Sequence, residues 1–359
     1  MACSDVSVRD AVPLADLATL RVGGPARRLI ELADADEIVE VVRKTDTDRE
    51  PLLVLAGGSN VVIGDHGFDG VVAHVISRGV RQQRNGRCVL VTACAGEPWD
   101  ELVAQCVENG HAGVECLSGI PGSTGATPIQ NVGAYGQEVA QRIASVRVYD
   151  RAVREVGDLT PAACRFAYRS SALRNTDRYV VLAVTFRLDC SPLGRPLRYE
   201  PLAGELGVKV GARPPLAVIR EAVIGLRARS GMVLDPEDPD SISVGSFFVN
   251  PILTSDQSRA LERRVTDEFG IDATTMPRWP DSDGHVKVSA AWLIERAGFE
   301  RGYRRGRAGI SSKHALALVN RGGASAGEIV ALAREIRDGV RATFGVTLRP
   351  EPTLIGIDL

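Results

Sequence analysis

Lysine is scarce in this chain. It occurs only at Lys44, Lys209, Lys287 and Lys313, although Lys and Arg together number 43. The cations are therefore almost all arginine, a bias spread along the chain rather than a phosphate-binding surface. The formal net charge of −2 offers no basic field for nucleic acid, and no nucleic-acid partner is expected. No run of about 18 apolar residues occurs, so no membrane span is expected. The opening MACSDVSVRD is too polar for a secretory signal. The seven cysteines, Cys3, Cys88, Cys94, Cys106, Cys116, Cys164 and Cys190, are odd in number and form no C-x-x-C pair. Most lie in apolar runs such as RCVLVTA, which reads as reduced core thiols in a cytoplasmic protein. The five histidines, His66, His74, His111, His285 and His314, show no H-E-x-x-H or other metal spacing, so no metal is expected. G-x-G-x-x-G is also absent, which excludes a dinucleotide held in the Rossmann manner.

What remains is an ordinary globular composition, 44% hydrophobic and 25% charged over 359 residues, long enough for two or three domains. The first third alternates helix and strand signals. Ile38, Val41 and Val42 share one helical face in 34–44, and PLLVL (51–55), GVVAHVI (70–76) and CVLVTA (88–93) read as strands. Residues 97–110 form an amphipathic pattern with Pro98 at its start and Gly110 past its end. Strands follow at 143–149 and at 179–188, the latter too apolar for an edge. The last third turns helical, at 214–230, 256–270, 289–298 and 325–345. The last opens on a capping box, Ser325 with Glu328. The tail VTLRPEPTLIGIDL reads as extended.

Two glycine-rich stretches carry no helix or strand pattern. LAGGSNVVIGD (55–65) follows a strand and leads into another, so on its own it is a hairpin turn whose glycines let backbone N–H groups approach an anion. LSGIPGSTGATPIQNVGAYGQE (117–138) holds five glycines among hydroxyls and amides, with one charge. Such a stretch is not expected to build a core. Its backbone donors suit a pyrophosphate, and its amide side chains suit a polar ring system. A third segment, GSFFVNP (245–251), places Ser246 beside two phenylalanines in what reads as a buried setting. No G-x-S-x-G elbow surrounds Ser246 and the nearest histidine in sequence is His285, so a Ser-His-Asp hydrolase is not indicated.

TLRVGGPARRLIEL (19–32), LAGGSNVVI, GIPGSTGATPIQNVGAYGQE, YRSS (168–171), GSFFVNP and RPEP (349–352) occur in this order. In that order they resemble the UDP-N-acetylenolpyruvoylglucosamine reductase family, over nearly the whole chain. The first two motifs are shared with the wider vanillyl-alcohol-oxidase-like flavin fold; GSFFVNP, YRSS and RPEP are specific to the reductase. The resemblance implies an α+β protein of three domains. Two form the FAD-binding unit, at 1–76 (with the C-terminal strand 346–359 returning to it) and 77–213. The third, at 214–345, is an α+β substrate-binding domain. It implies non-covalent FAD, NADPH as reductant, a small-molecule substrate, and a cytoplasmic monomer. The family reaction that the resemblance implies passes hydride from NADPH to FAD and then to the vinyl terminus of the enolpyruvyl ether of UDP-N-acetylglucosamine, completing UDP-N-acetylmuramate for peptidoglycan.

By the resemblance, Ser246 is the proton donor to the carbanion carbon, Arg169 faces the substrate carboxylate, and Glu351, between two prolines, supports the intermediate. Gly57, Gly58, Ser59, Asn60, Gly119, Ile120, Pro121, Gly122, Ser123, Gly125, Ala126, Gln130, Asn131, Gly133, Ala134 and Arg227 are implied around FAD. Tyr199, in LRYEPL (197–202), matches the substrate-gating tyrosine of the family's first type, and Asn250 a sugar-nucleotide contact. Two family lysines are replaced, by Val249 and Ser230. Arg229, with Arg227 or Lys287 as substitutes, is then expected on the substrate diphosphate. An oxidase of the same flavin fold would use a histidine tether, and His66 follows the first glycine turn; GSFF and RPEP separate the two. A nucleotide-sugar sensor without catalysis would be expected to lose Arg169, Ser246 or Glu351, and all three are present.

Overall fold

A computed structural model describes residues 7–359; Cys3 and the polar opening lie outside the described residues. The chain folds as two compact units. The first comprises residues 7–13, 25–58 and 68–233, and the second residues 14–24, 59–67 and 234–359. Each mixes helices with strands.

The first unit holds two sheets. In one, Val8–Pro13 pairs antiparallel with Pro25–Leu32, which runs parallel to Phe68–Val75 and through it to Leu52–Leu55. The helix Ala35–Asp48 connects Pro25–Leu32 to Leu52–Leu55. Its apolar stripe ends near Val42, yet it continues for another turn through KTDTD, ending at Arg49 in the left-handed region. Asp34 caps its start by accepting from the N–H groups of Asp36 and Glu37.

The other sheet is antiparallel, in the order Glu155–Leu159, Ile143–Asp150, Tyr179–Cys190, Cys88–Cys94, Val80–Asn85. The apolar strand Tyr179–Cys190 lies in the interior of this order, as its composition requires. Trp99, at the start of the helix Trp99–Glu108, packs on Phe186 with ring centroids 5.5 Å apart, and both are fully buried. Burying two aromatics of this size is worth several kcal/mol to the core, at roughly 2–3 kcal/mol each. The helix Leu216–Arg229 belongs to this unit, where Ile219 and Val223 pack with Leu197, Leu202 and Cys116.

The second unit contains an antiparallel sheet in the order Ser243–Ser246, Ala317–Asn320, Ala308–Ile310, Arg304–Arg305. A smaller sheet has Val286–Val288 between Ile252–Leu253 and Arg278–Pro280. The C-terminal strand Thr353–Ile355 runs parallel to Val61–Ile63. Phe247 and Phe248 are 0% and 1% exposed and stand edge to face in the core with the helix Ala326–Phe344. That helix carries the expected capping box of Ser325 and Glu328. Asp65 adds a second cap, its two carboxylate oxygens accepting from Ala326 N–H at 2.7 Å and Gly327 N–H at 2.9 Å.

The six described cysteines are free thiols, and burial pushes that of Cys106 up to about 12. Among the described residues no helix is long and apolar enough to cross a membrane, and no cluster of side chains could hold a metal ion.

Candidate active site

The two glycine loops meet inside the first unit. A Cβ built on Gly57 would lie 2.7 Å from Gly122 Cα and 3.0 Å from Ser123 N, so only glycine allows this backbone approach. Among the described residues the N–H groups of Gly57, Gly58, Ile120, Gly122 and Ser123 have no hydrogen-bond partner. The expectation that the 117–138 loop builds no core is corrected. Leu117, Ser118, Thr124, Gly125 and Asn131 are buried, with Leu117 in the main core of the unit. The loop is tied down by its own backbone: Thr124 N–H donates to Glu97 O and Gly125 N–H to Ala95 O, both at 2.8 Å, and Trp99 N–H donates to Gly122 O at 2.9 Å. Glycine content concealed this, because the packing surface is main chain rather than side chain. Pro121 lies half-buried beside the unpaired donors, Ala126 closes a short turn over Thr124–Ala126, and Gln130 is half-buried farther along.

The end of this loop meets Arg169. The Arg169 guanidinium donates to Gly133 O at 2.6 Å and to Asn131 O at 3.4 Å, and lies over the Tyr168 ring. Arg169 itself occupies the left-handed region, at φ 50°, in the tight turn Ala167–Ser170. A non-glycine residue held there is a strained feature of the kind that gathers at functional sites. Asn131 is fixed on both sides, its Nδ2 donating to Glu138 Oε2 and Ala167 O at 3.0 Å and its Oδ1 accepting from Ala140 N–H. Ala134 pairs with Gln137 in a two-residue ladder.

Tyr135 was not expected from the sequence. It follows Ala134 with φ 49° and stands edge to face with Tyr199, centroids 5.7 Å apart. Burial raises its phenol above the usual tyrosine range, against the pull of Arg227 and Arg229. Tyr199 is exposed and sits at the N-cap of the short helix Glu200–Glu205. Arg229 reaches back to that helix and pairs with Glu205 at 2.6 Å, both ends open to solvent. Arg227 faces inward. Its Nη2 donates to Met232 O at 2.6 Å, while its Nε is sealed from water without a partner. Burial lowers its guanidinium from the ordinary arginine value, with Tyr135 and Asp100 opposing the shift. Unpaired N–H groups beside a desolvated cation are the donor set a dinucleotide diphosphate requires, so these residues fit FAD.

In the second unit, the strand Ser243–Ser246 pairs with Ala317–Asn320 across a bulge: two residues, Val244 and Gly245, oppose one. Gly245 takes φ 74°, which a side chain would strain. The bulge re-aims half-buried Ser246 while the next two residues enter the core. Glu351 N–H donates to Phe247 O at 2.8 Å, Val249 N–H donates to Arg349 O at 3.1 Å, and Phe248 bridges Pro350. GSFFVNP and RPEP are therefore one backbone clamp, in which Glu351 is bound to Phe247, the residue after Ser246. Asn60 joins it, donating from Nδ2 to Glu351 O at 3.4 Å and accepting from Thr353 N–H at 3.0 Å, while the Ser59 carbonyl receives the Thr19 hydroxyl. Asn250 turns its Oδ1 to Ala290 N–H at 2.9 Å, and Lys287 lies over the Trp279 ring. His66 is exposed.

Residues 235–355 match the C-terminal domain of UDP-N-acetylenolpyruvoylglucosamine reductase, and residues 26–158 match an FAD binding domain. The UDP-N-acetylenolpyruvoylglucosamine reductase of Thermobifida fusca is 53% identical over 349 residues, covering 97% of this chain and 98% of that protein. The chain belongs to the UDP-N-acetylenolpyruvoylglucosamine reductase family. That of Salinispora arenicola is also 53% identical, over 99% of this chain and 98% of its own. The crystal structure of the Thermus caldophilus reductase shares the fold, with a TM-score of 0.65 at 24% identity over 98% of this chain and 99% of that one. The reductase's C-terminal domain contains the Ser246–Glu351 clamp, and the FAD binding domain contains both halves of the glycine cradle at Gly57 and Gly122. The alternative of a histidine-tethered oxidase is not supported by these relatives.

Proposed function

We propose that this protein reduces the enolpyruvyl ether of UDP-N-acetylglucosamine to UDP-N-acetylmuramate with NADPH, as a cytoplasmic enzyme acting as a monomer on a small-molecule substrate. The observation that carries the site assignment is the backbone geometry around Ser246, which follows the bulge at Val244 and Gly245 and lies one residue from Phe247, the partner of Glu351 N–H. FAD, when bound, supplies two-electron chemistry, passing hydride from NADPH to the vinyl terminus of the substrate. Gly57, Gly58, Gly119, Ile120, Pro121, Gly122, Ser123, Gly125, Ala126 and Arg227 hold its diphosphate and ring system. Gln130, Asn131, Gly133, Ala134, Ser59 and Asn60 would complete the set.

Hydride addition leaves negative charge on the carbon that bears the carboxylate. Ser246 donates its hydroxyl proton to that carbon. A neutral alcohol suffices, because proton transfer to a carbanion is strongly downhill, and solvent restores the serine proton. Arg169 offsets the substrate carboxylate with a permanent positive charge. Glu351 supports the intermediate, with its backbone fixed by the clamp and by its flanking prolines. Tyr199 gates the substrate, Asn250 and Lys287 contact the sugar nucleotide, and Arg229 takes the diphosphate in place of the lysines absent at Val249 and Ser230.

An absorbance experiment tests the reading. NADPH added without oxygen should bleach the flavin bands, and the enolpyruvyl substrate added next should restore them. Bleaching without restoration by this substrate would remove the assigned reaction. Acid precipitation should leave the yellow colour in the supernatant; colour retained on the precipitated chain would contradict a non-covalent cofactor.

A further inference from the structure

Asp100 lies in the first turn of the helix Trp99–Glu108, an ordinary place for an acid. Its bonds are not ordinary. Oδ1 accepts from Gly119 N–H at 2.5 Å and from Arg220 Nη1 at 2.6 Å, and Oδ2 accepts from Arg220 Nη2 at 2.8 Å. Burial alone would raise this carboxyl, but the Arg220 and Gly119 bonds outweigh it and hold the group below the usual aspartate range. Gly119 opens the segment whose following N–H groups, at Ile120, Gly122 and Ser123, have no partner among the described residues. On its other side, the position of a Gly119 Cβ is 3.5 Å from Arg227 Cδ and Nε. Arg220 and Arg227 are seven residues apart on one helix, two turns on the same face. Only Arg220 is engaged in the bidentate pair.

We infer that Asp100 is a positioning residue for the cofactor cradle, fixing the Gly119 peptide from behind so that the next N–H groups and Arg227 are presented to a phosphate. This rests on the reading of the 119–123 loop as the FAD diphosphate site. Arg220 has two tasks in this arrangement. It orients the carboxylate toward Gly119, and it neutralises Asp100 so that the Arg227 charge is kept for the anion. A charge-assisted bond to a backbone N–H is stronger than a neutral one and is present before the ligand arrives, so it lowers the ordering cost of binding.

The test measures FAD and riboflavin binding to the FAD-stripped full chain by flavin fluorescence. Riboflavin lacks the phosphates. Asp100→Ala should raise the FAD Kd about tenfold or more and leave the riboflavin Kd within about twofold. Asp100→Asn, which keeps an acceptor without the charge, should fall between the wild type and Asp100→Ala. Arg220→Ala breaks the same ion pair but leaves the carboxylate on Gly119, and should weaken FAD less than Asp100→Ala does. Equal weakening of FAD and riboflavin, or equal Kd values in Asp100→Ala and Arg220→Ala, would reduce Asp100 to a structural ion pair and overturn the inference. A wild-type protein that does not distinguish FAD from riboflavin would instead remove the phosphate cradle itself, and with it the inference. If Asp100→Ala does not fold, Asp100→Asn carries the comparison, and an FAD Kd equal to wild type would overturn the proposal.

Discussion

The two units use opposite means to build a site. In the first, the glycine loops carry main-chain N–H groups without partners among the described residues, and the side chains of Asp100 and Asn131 accept from other backbone N–H groups, Gly119 near the start of the 117–138 loop and Ala140 just past its end. In the second, the main chain forms the clamp between GSFFVNP and RPEP, and the proposed chemistry rests on the side chains of Ser246 and Glu351 that it carries. The difference teaches where each can be damaged. A backbone site fails when a side chain is added, because the space between Gly57 and Gly122 is already filled. A side-chain site fails when an atom is removed, and the fold around it can stay intact.

Removing the Ser246 hydroxyl sharpens this contrast most. Ser246→Ala should lower kcat by roughly 10²–10⁴-fold, the usual range for a positioned proton donor, while FAD content and thermal midpoint stay near wild type. Steady-state assays with a flavin absorbance count check both. A loss of flavin in this variant would blur the division between the units.

Adding one methyl group to the cradle is the reciprocal change. Gly57→Ala must push its Cβ against Gly122, and such overpacking costs about 1–3 kcal/mol. The FAD Kd should rise by about 10–100-fold, with kcat near wild type once the protein is saturated with FAD. Titration of stripped protein with FAD reads this out. An unchanged Kd would mean that the loops do not need their close contact to bind.

Smaller effects are expected at the solvent-facing cations. Arg229→Ala should raise the substrate KM by about tenfold, the lower end for a charge-assisted phosphate bond because the side chain is 58% exposed. Reduction of the flavin by NADPH should be untouched. Glu205→Gln should act in the other direction. The Glu205 carboxylate occupies Arg229 at 2.6 Å, and releasing it should lower the KM by about 2–5-fold, the worth of an exposed ion pair. The KM measured at two salt concentrations checks both variants. An unchanged KM in Arg229→Ala would shift the diphosphate contact to Arg227 or Lys287.

Much of this was legible in the sequence, for reasons that differ by element. The helix Ala326–Phe344 announced itself by its capping box and by the stripe of Ile329, Leu332, Ile336, Val340 and Phe344, all of which are buried. The strand Tyr179–Cys190 was readable as interior because its first half, YVVLAV, is apolar on both faces, with Thr185, Arg187 and Asp189 polar only farther along. The first helix was read too short, because its last turn is polar and is held by backbone bonds and by the Thr45 hydroxyl on Val41 O. Ser246 could be singled out by its neighbours, but the bulge at Gly245 that aims it needs the register with Ala317. Asp100 and Asp65 stayed hidden, since their partners Arg220 and Ala326 lie 120 and 261 positions away. Tyr135 was within a motif already marked, yet its contact with Tyr199 is long-range. The burial of the 117–138 loop was obscured because glycine packs through its backbone, and composition registers only side chains.

Stopped-flow absorbance on Ser246→Ala, with the two half-reactions followed separately, tests the division of labour most directly. No carbanion forms while NADPH bleaches the flavin, so that phase should run at the wild-type rate. Return of the flavin bands on adding the enolpyruvyl substrate should be slower by about two orders of magnitude or more. Equal slowing of both phases would contradict the account, because Ser246 would then be supporting the cofactor rather than protonating the substrate.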